Sequence, residues 1–85
     1  MGDDVRRNVE RLHEELTEAA AGGDEHAQEM LDHVGAYLDN DEPSGDDHED
    51  LHERLQEALV KFDTGHPSLS GAIRGVIDSL GAAGI

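Results

Sequence analysis

Two histidines one turn apart, with a glutamate beside the first, occur at His48-Glu49-Asp50-Leu51-His52 and match the pattern H-E-x-x-H. On a helix that spacing stacks both imidazoles on one face for zinc and leaves the glutamate as general base. The surroundings argue against this chemistry. The motif falls where an acidic loop gives way to a helix, not inside a long apolar one. Its extended form asks for glycine and histidine where this chain has Leu55 and Ala58. A distal acidic ligand is also missing, because Asp78 is the only acid after Asp63. His48 and His52 are thus candidates for adventitious metal association, and no cofactor is expected.

Three further patterns are close to chemistry without reaching it. Counted from Asp39, a calcium loop would have Ser44 where glycine is wanted. Counted to place Gly45 there, it ends on Leu51, which cannot coordinate. His66-Pro67 reads as a turn and helix start, the proline suiting a first turn and the histidine capping one helix or the other. Gly71-x-x-x-Gly75 is a membrane-dimer motif only within an apolar span, and no run here approaches the roughly 18 apolar residues that requires. No serine, threonine or histidine has the neighbours of an activated nucleophile, and cysteine is absent. The chain is not expected to be an enzyme.

Charge is the strongest compositional signal. Twenty-one acids face six basic residues, giving net −15 over 85 residues. Such a chain repels nucleic acid and anionic membrane, whose recognition runs through Lys/Arg clusters. It suits either a solvated acidic coat of the halophile kind or a regulator that masks a basic partner protein. The opening Met-Gly-Asp-Asp-Val-Arg has no basic-then-apolar character of a secretory leader, and the lack of cysteine fits a reducing compartment. A cytoplasmic location is the expectation.

Behind these residues stand four segments with the 3.6-residue apolar rhythm. The first runs Val5, Val9, Leu12, Leu16 and Ala19, preceded by Asp3-Asp4 and stopped by Gly22-Gly23. Asp24-Glu25 opens the second, on Ala27, Met30, Leu31, Val34 and Leu38. The third runs Leu51, Leu55, Leu59 and Phe62 behind a capping box spaced Ser44 to Asp47, and the fourth runs Leu69, Ile73, Val76, Ile77 and Leu80. Nothing alternates with period two. The expected fold is all-α, a single domain over residues 1–85: a hairpin over 3–40, an acidic joint over 40–46 with a mobile centre, and a hairpin over 47–85. Two readings of the hairpins stand open, an internal repeat or two amphipathic hairpins of equal length that look alike for that reason alone: Glu10-Arg11-Leu12 parallels Glu53-Arg54-Leu55 at a shift of 43, while Leu31, Val34 and Leu38 fall on Ile73, Val76 and Leu80 at a shift of 42, with Gly23 on Gly65. Twenty large apolar side chains after Met1 make a modest core, worth roughly 3–5 kcal/mol unless a second subunit adds to it.

The last segment differs from the rest in carrying almost no charge. Beside its large apolar residues lies an arc of small ones: Ser68, Gly71, Ala72, Gly75 and Ser79. Small residues let another backbone approach closely, so this helix is expected either at the centre of the bundle or at a dimer face, with the arc as the interaction surface. A homodimer is the expected assembly.

The stretch Phe62-Asp63-Thr64-Gly65-His66-Pro67-Ser68-Leu69, the continuation Ile73-x-x-x-Ile77-Asp78-x-Leu80, the ending Gly84-Ile85 and the opening Leu12-His13-x-x-Leu16 resemble a bacterial family of short proteins, domain of unknown function 4404. The resemblance covers nearly the whole chain. It implies a stand-alone helical protein and no assigned activity. Where the family usually has methionine before its Gly-Ile end this chain has Ala83, which implies looser packing there; His48-Glu49 lies in the variable joint.

Overall fold

The apolar rhythm winds into four helices in a computed structural model of the chain, which describes residues 2–40, 42–62 and 65–82: α1 (Gly2–Ala21), α2 (Glu25–Asp39), α3 (Gly45–Phe62) and α4 (Pro67–Ala82). No strand occurs among the described residues. Asp41, near the start of the joint, and the terminal Ala83-Gly84-Ile85, whose looser packing the sequence implies, lie outside them.

Each helix end has an identifiable cause. Gly22 and Gly23 close α1: the Gly22 N–H reaches back to the carbonyls of Glu18 and Ala19, and Gly23 takes φ +96°, a conformation that favours glycine. Asp24 caps α2 by accepting the Ala27 N–H at 3.0 Å. The capping box at α3 is reciprocal, Ser44 Oγ taking the Asp47 N–H at 3.3 Å while Asp47 takes the Ser44 N–H at 2.9 Å. Because Ser44 is the cap itself, Gly45 and Asp46 belong to the first turn of α3, so the joint ends two residues earlier than its composition suggests. Likewise α1 begins at Gly2, which puts Asp3 and Asp4 inside its first turn. Pro67 opens α4, and His66 serves both neighbours through its backbone, donating to the Phe62 carbonyl at 3.1 Å and accepting from Ser70 at 2.9 Å.

The helices run alternately up and down around one core. In this ring α1 packs on α2 and α4, α3 packs on α4 and α2, and among the described residues the backbones of the diagonal pairs stay apart. The α2–α3 seam is the thinnest of the four. Leu12, Leu16, Leu55, Phe62, Ile73 and Leu80 are fully enclosed, with Val9, Val34 and Val76 between them. Each such side chain contributes roughly 1.5–3 kcal/mol of transfer free energy. Helix α4 is one member of the ring, and not its central helix. Two of its small residues, Gly75 and Ser79, face Asn8 of α1. Asn8 donates to Ser79 Oγ at 2.6 Å, and a Cβ built on Gly75 would stand 3.2 Å from Asn8 Oδ1.

Candidate functional site

At one end of the bundle the two interhelical turns meet. His66 Nε2 donates to Asp24 Oδ2 at 2.9 Å, tying the turn before α4 to the turn before α2. The same carboxylate caps α2 through its other oxygen. Its acidity is strengthened first by the Ala27 N–H and then by His66, against the opposing effect of partial burial. Phe62 packs edge-on to both His66 and His26, while Ser70, buried beneath, donates to the Phe62 carbonyl at 3.2 Å. The stretch Phe62–Leu69 thus joins α3 to α4 through a core anchor, a cap, a helix-starting proline and a second core anchor. A cleft of about 650 Å³ opens over this junction. Glu15, Glu18 and Asp24 line it beside His66, Ser68 and the Gly22, Gly23 and Gly65 backbones, so it offers mainly acceptors and negative charge, with the one imidazole already tied to Asp24.

At the opposite end, Tyr37 Oη and His48 Nδ1 are hydrogen-bonded at 2.8 Å. Burial, then the nearby Asp47 charge, pushes the phenol above its ordinary range. Asp47 is shifted the other way, first by the Ser44 N–H and then by its hydroxyl. Asn40 also donates to Asp47, at 3.1 Å. The proposed zinc pair is drawn into this scaffold: His48 points its Nδ1 at Tyr37, and His52 lies half-buried one turn on. Among the described residues no three His, Asp or Glu side chains are grouped to hold a metal ion. The calcium-like stretch is likewise wound into α3 from Gly45 onward.

Between these ends a further polar contact crosses the α2–α3 seam. Arg54 Nη1 lies 3.0 Å from His33 Nε2, and Arg54 Nε donates to Asp50 at 2.9 Å. Arginine has only donors, so His33 must present its unprotonated nitrogen there. Shallow grooves flank the crossing on both sides, about 140 Å³ toward Phe62 and about 160 Å³ toward Tyr37.

The small-residue arc of α4 is divided by the fold. Ala72 is buried in the core, Gly75 and Ser79 sit half-buried against Asn8, and Ser68 and Gly71 are exposed. A Cβ on Gly71 would meet nothing within 4 Å. The polar ties at Asp24–His66, Tyr37–His48, His33–Arg54 and Asn8–Ser79 escaped the sequence reading. A signal for the first existed: at the shift that places Gly23 on Gly65, Asp24 falls on His66.

An up-and-down four-helix bundle whose polar side chains mainly cap and cross-tie helices is the class of protein this architecture defines. The family model described as domain of unknown function (DUF4404) matches residues 5–85, and the chain belongs to that family. No curated protein and no solved structure matches it.

Proposed function

We propose that the chain is a non-catalytic helical interaction module that self-associates through the outward face of α4. The observation carrying this reading is electrostatic. The exposed positions of α4 are Pro67, Ser68, Gly71, Arg74, Asp78, Gly81 and Ala82, with one charge of each sign, on a chain of net −15. Two copies repel wherever their acidic surfaces meet and are least opposed along this strip. The strip is also low in profile, with open space above Gly71. Because Gly75 and Ser79 are already covered by Asn8, the contact would centre on Ser68 and Gly71, not on the whole small-residue arc. Histidines tied to Tyr37, Arg54 and Asp24 support an architectural role for these side chains over a catalytic or metal-carrying one. The acidic coat suits a salty interior and the cysteine-free sequence a reducing one, in keeping with a cytoplasmic protein.

The test is light scattering in about 1 M NaCl, where the screening length falls to about 3 Å. The parent should run as a dimer, and Gly71→Glu, placed in open space, should run as a helical monomer. A monomeric parent would overturn the proposal.

A further inference from the structure

The outward strip of α4 carries a charge pattern that reads the same in size and opposite in sign from either end. Arg74 and Asp78 stand one turn apart, with Gly71 three positions before the first and Gly81 three positions after the second. All four are exposed, and a Cβ on either glycine would meet nothing within 4 Å. The midpoint of the charged pair and the midpoint of the glycine pair are the same, level with Val76, whose own side chain faces the core. Projected along the helix at about 100° per residue, both pairs are also centred on one line of the outward surface. A single facing direction therefore serves all four residues.

A two-fold interface sets a surface against itself, so register decides what meets what. Parallel copies of α4 would bring Arg74 against the partner's Arg74 and Asp78 against the partner's Asp78. An antiparallel pair with its axis level with Val76 does the opposite. Arg74 then faces the partner's Asp78, Asp78 faces the partner's Arg74, and each Gly71 lies beside the partner's Gly81. Two ion pairs are flanked by two points where the backbones can approach closely. A partner of uniform charge would satisfy one of these side chains and oppose the other, which favours a second copy as the occupant. Arg74 already has an interaction within its own chain, and the five donors of its guanidinium leave room for a carboxylate from outside. Exposed pairs of this kind select orientation more than they add strength. We infer that α4 meets α4 of a second copy in antiparallel register about Val76, Arg74 facing the partner's Asp78 and Gly71 the partner's Gly81. This rests on self-association through α4 and adds its direction, with Ser68 moved to the edge of the contact.

Disulfide trapping reads the register directly, because the chain has no cysteine of its own. Helices in contact with axes about 8 Å apart bring facing Cα atoms within the roughly 7 Å that a disulfide spans. Positions 71 and 81 of one chain are about 15 Å apart, too far to bond to each other. The variant carrying both Gly71→Cys and Gly81→Cys is oxidised in about 1 M NaCl, where the acidic coat is screened, and run on a denaturing gel without reductant. It should link into covalent dimers, and so should an equal mixture of the two single variants. Each single variant alone should stay unlinked, because its two thiols lie about 15 Å apart across the axis. Adding Arg74→Asp to the double-cysteine chain should lower the linked fraction about threefold, and adding Asp78→Arg as well should restore it. Linkage of either single variant at the level of the double variant, or a fraction indifferent to Arg74→Asp, would overturn the inference. Absence of linkage in a parent that light scattering finds dimeric would overturn the register and leave self-association standing. A monomeric parent would remove both.

Discussion

Replacing Asp24 with alanine removes two interactions through one side chain. The cap on α2, Oδ1 to the Ala27 N–H at 3.0 Å, is worth about 1 kcal/mol. The His66 contact at 2.9 Å involves a histidine side chain 36% exposed and a carboxylate 24% exposed, so solvent screens it and about 0.5–1 kcal/mol is appropriate. Together they amount to about 1.5–2 kcal/mol, a shift in Tm of about 6–16 °C for a domain of this size. Asp24→Asn keeps an acceptor for Ala27 and should recover most of the cap. His66→Ala should cost only the second contribution, and the double variant should cost less than the two single ones combined. The pH dependence has a definite sign. Asp24 is held below its ordinary 3.8, so its stabilisation is present above that value and is lost as pH falls through the folded-state pKa. Thermal and urea melts followed by circular dichroism at pH 5 and at about pH 2.5 read both effects. The alanine variant should lag the parent at pH 5 and approach it at the lower pH. Strict additivity of Asp24→Ala and His66→Ala, or an alanine penalty unchanged in acid, would refute the assignment of this pair.

Two glycines on α4 should respond differently. Gly71→Ala meets open space and should stabilise the helix by about 0.5–1 kcal/mol, while Gly75→Ala presses on Asn8 at 3.2 Å and should lose most of that gain, both read from denaturant midpoints. The melting temperature of the parent should climb between about 0.1 and 1 M NaCl as screening shortens. The like-charge pairs Glu10/Glu14, Glu14/Glu18, Glu49/Glu53 and Glu53/Glu57 oppose the carboxylate–arginine ties of Arg6 to Glu10 and Arg54 to Asp50. A flat or falling curve would remove the reading of an acidic coat suited to salt.

Period and capping made the helices legible. Val5, Val9, Leu12 and Leu16 recur at helical spacing and all face the core, and the Ser44–Asp47 spacing located the start of α3 because its two hydrogen bonds are local in sequence. Which helix lies beside which was harder. The arc of small residues on α4 announced a close approach, but its occupant, Asn8, comes from 71 positions before Ser79 and is a polar residue with no periodic signature. The candidate sites suffered the same limit. His48 and His52 drew attention by local spacing, yet His48 is held by Tyr37 of the preceding helix, a contact that no motif records. Both grooves depend on how loosely α2 and α3 are apposed, a property of the assembled ring that neither helix carries alone.

The Asp24–His66 contact has a meaning in terms of symmetry. The two residues are 42 positions apart, and each immediately precedes the second helix of its own hairpin. They occupy equivalent places in the two hairpins. In a two-fold pair of identical hairpins any residue touching its own counterpart across the axis must meet a copy of itself. Asp24 would then face a second aspartate, and His66 a second histidine. Carrying both hairpins on one chain frees that position from self-complementarity, so one copy can supply the acceptor and the other the donor. The chain gains a directed hydrogen bond where a dimer of half-length chains would have a repulsion or a compromise, and the cost is that its two halves are no longer interchangeable.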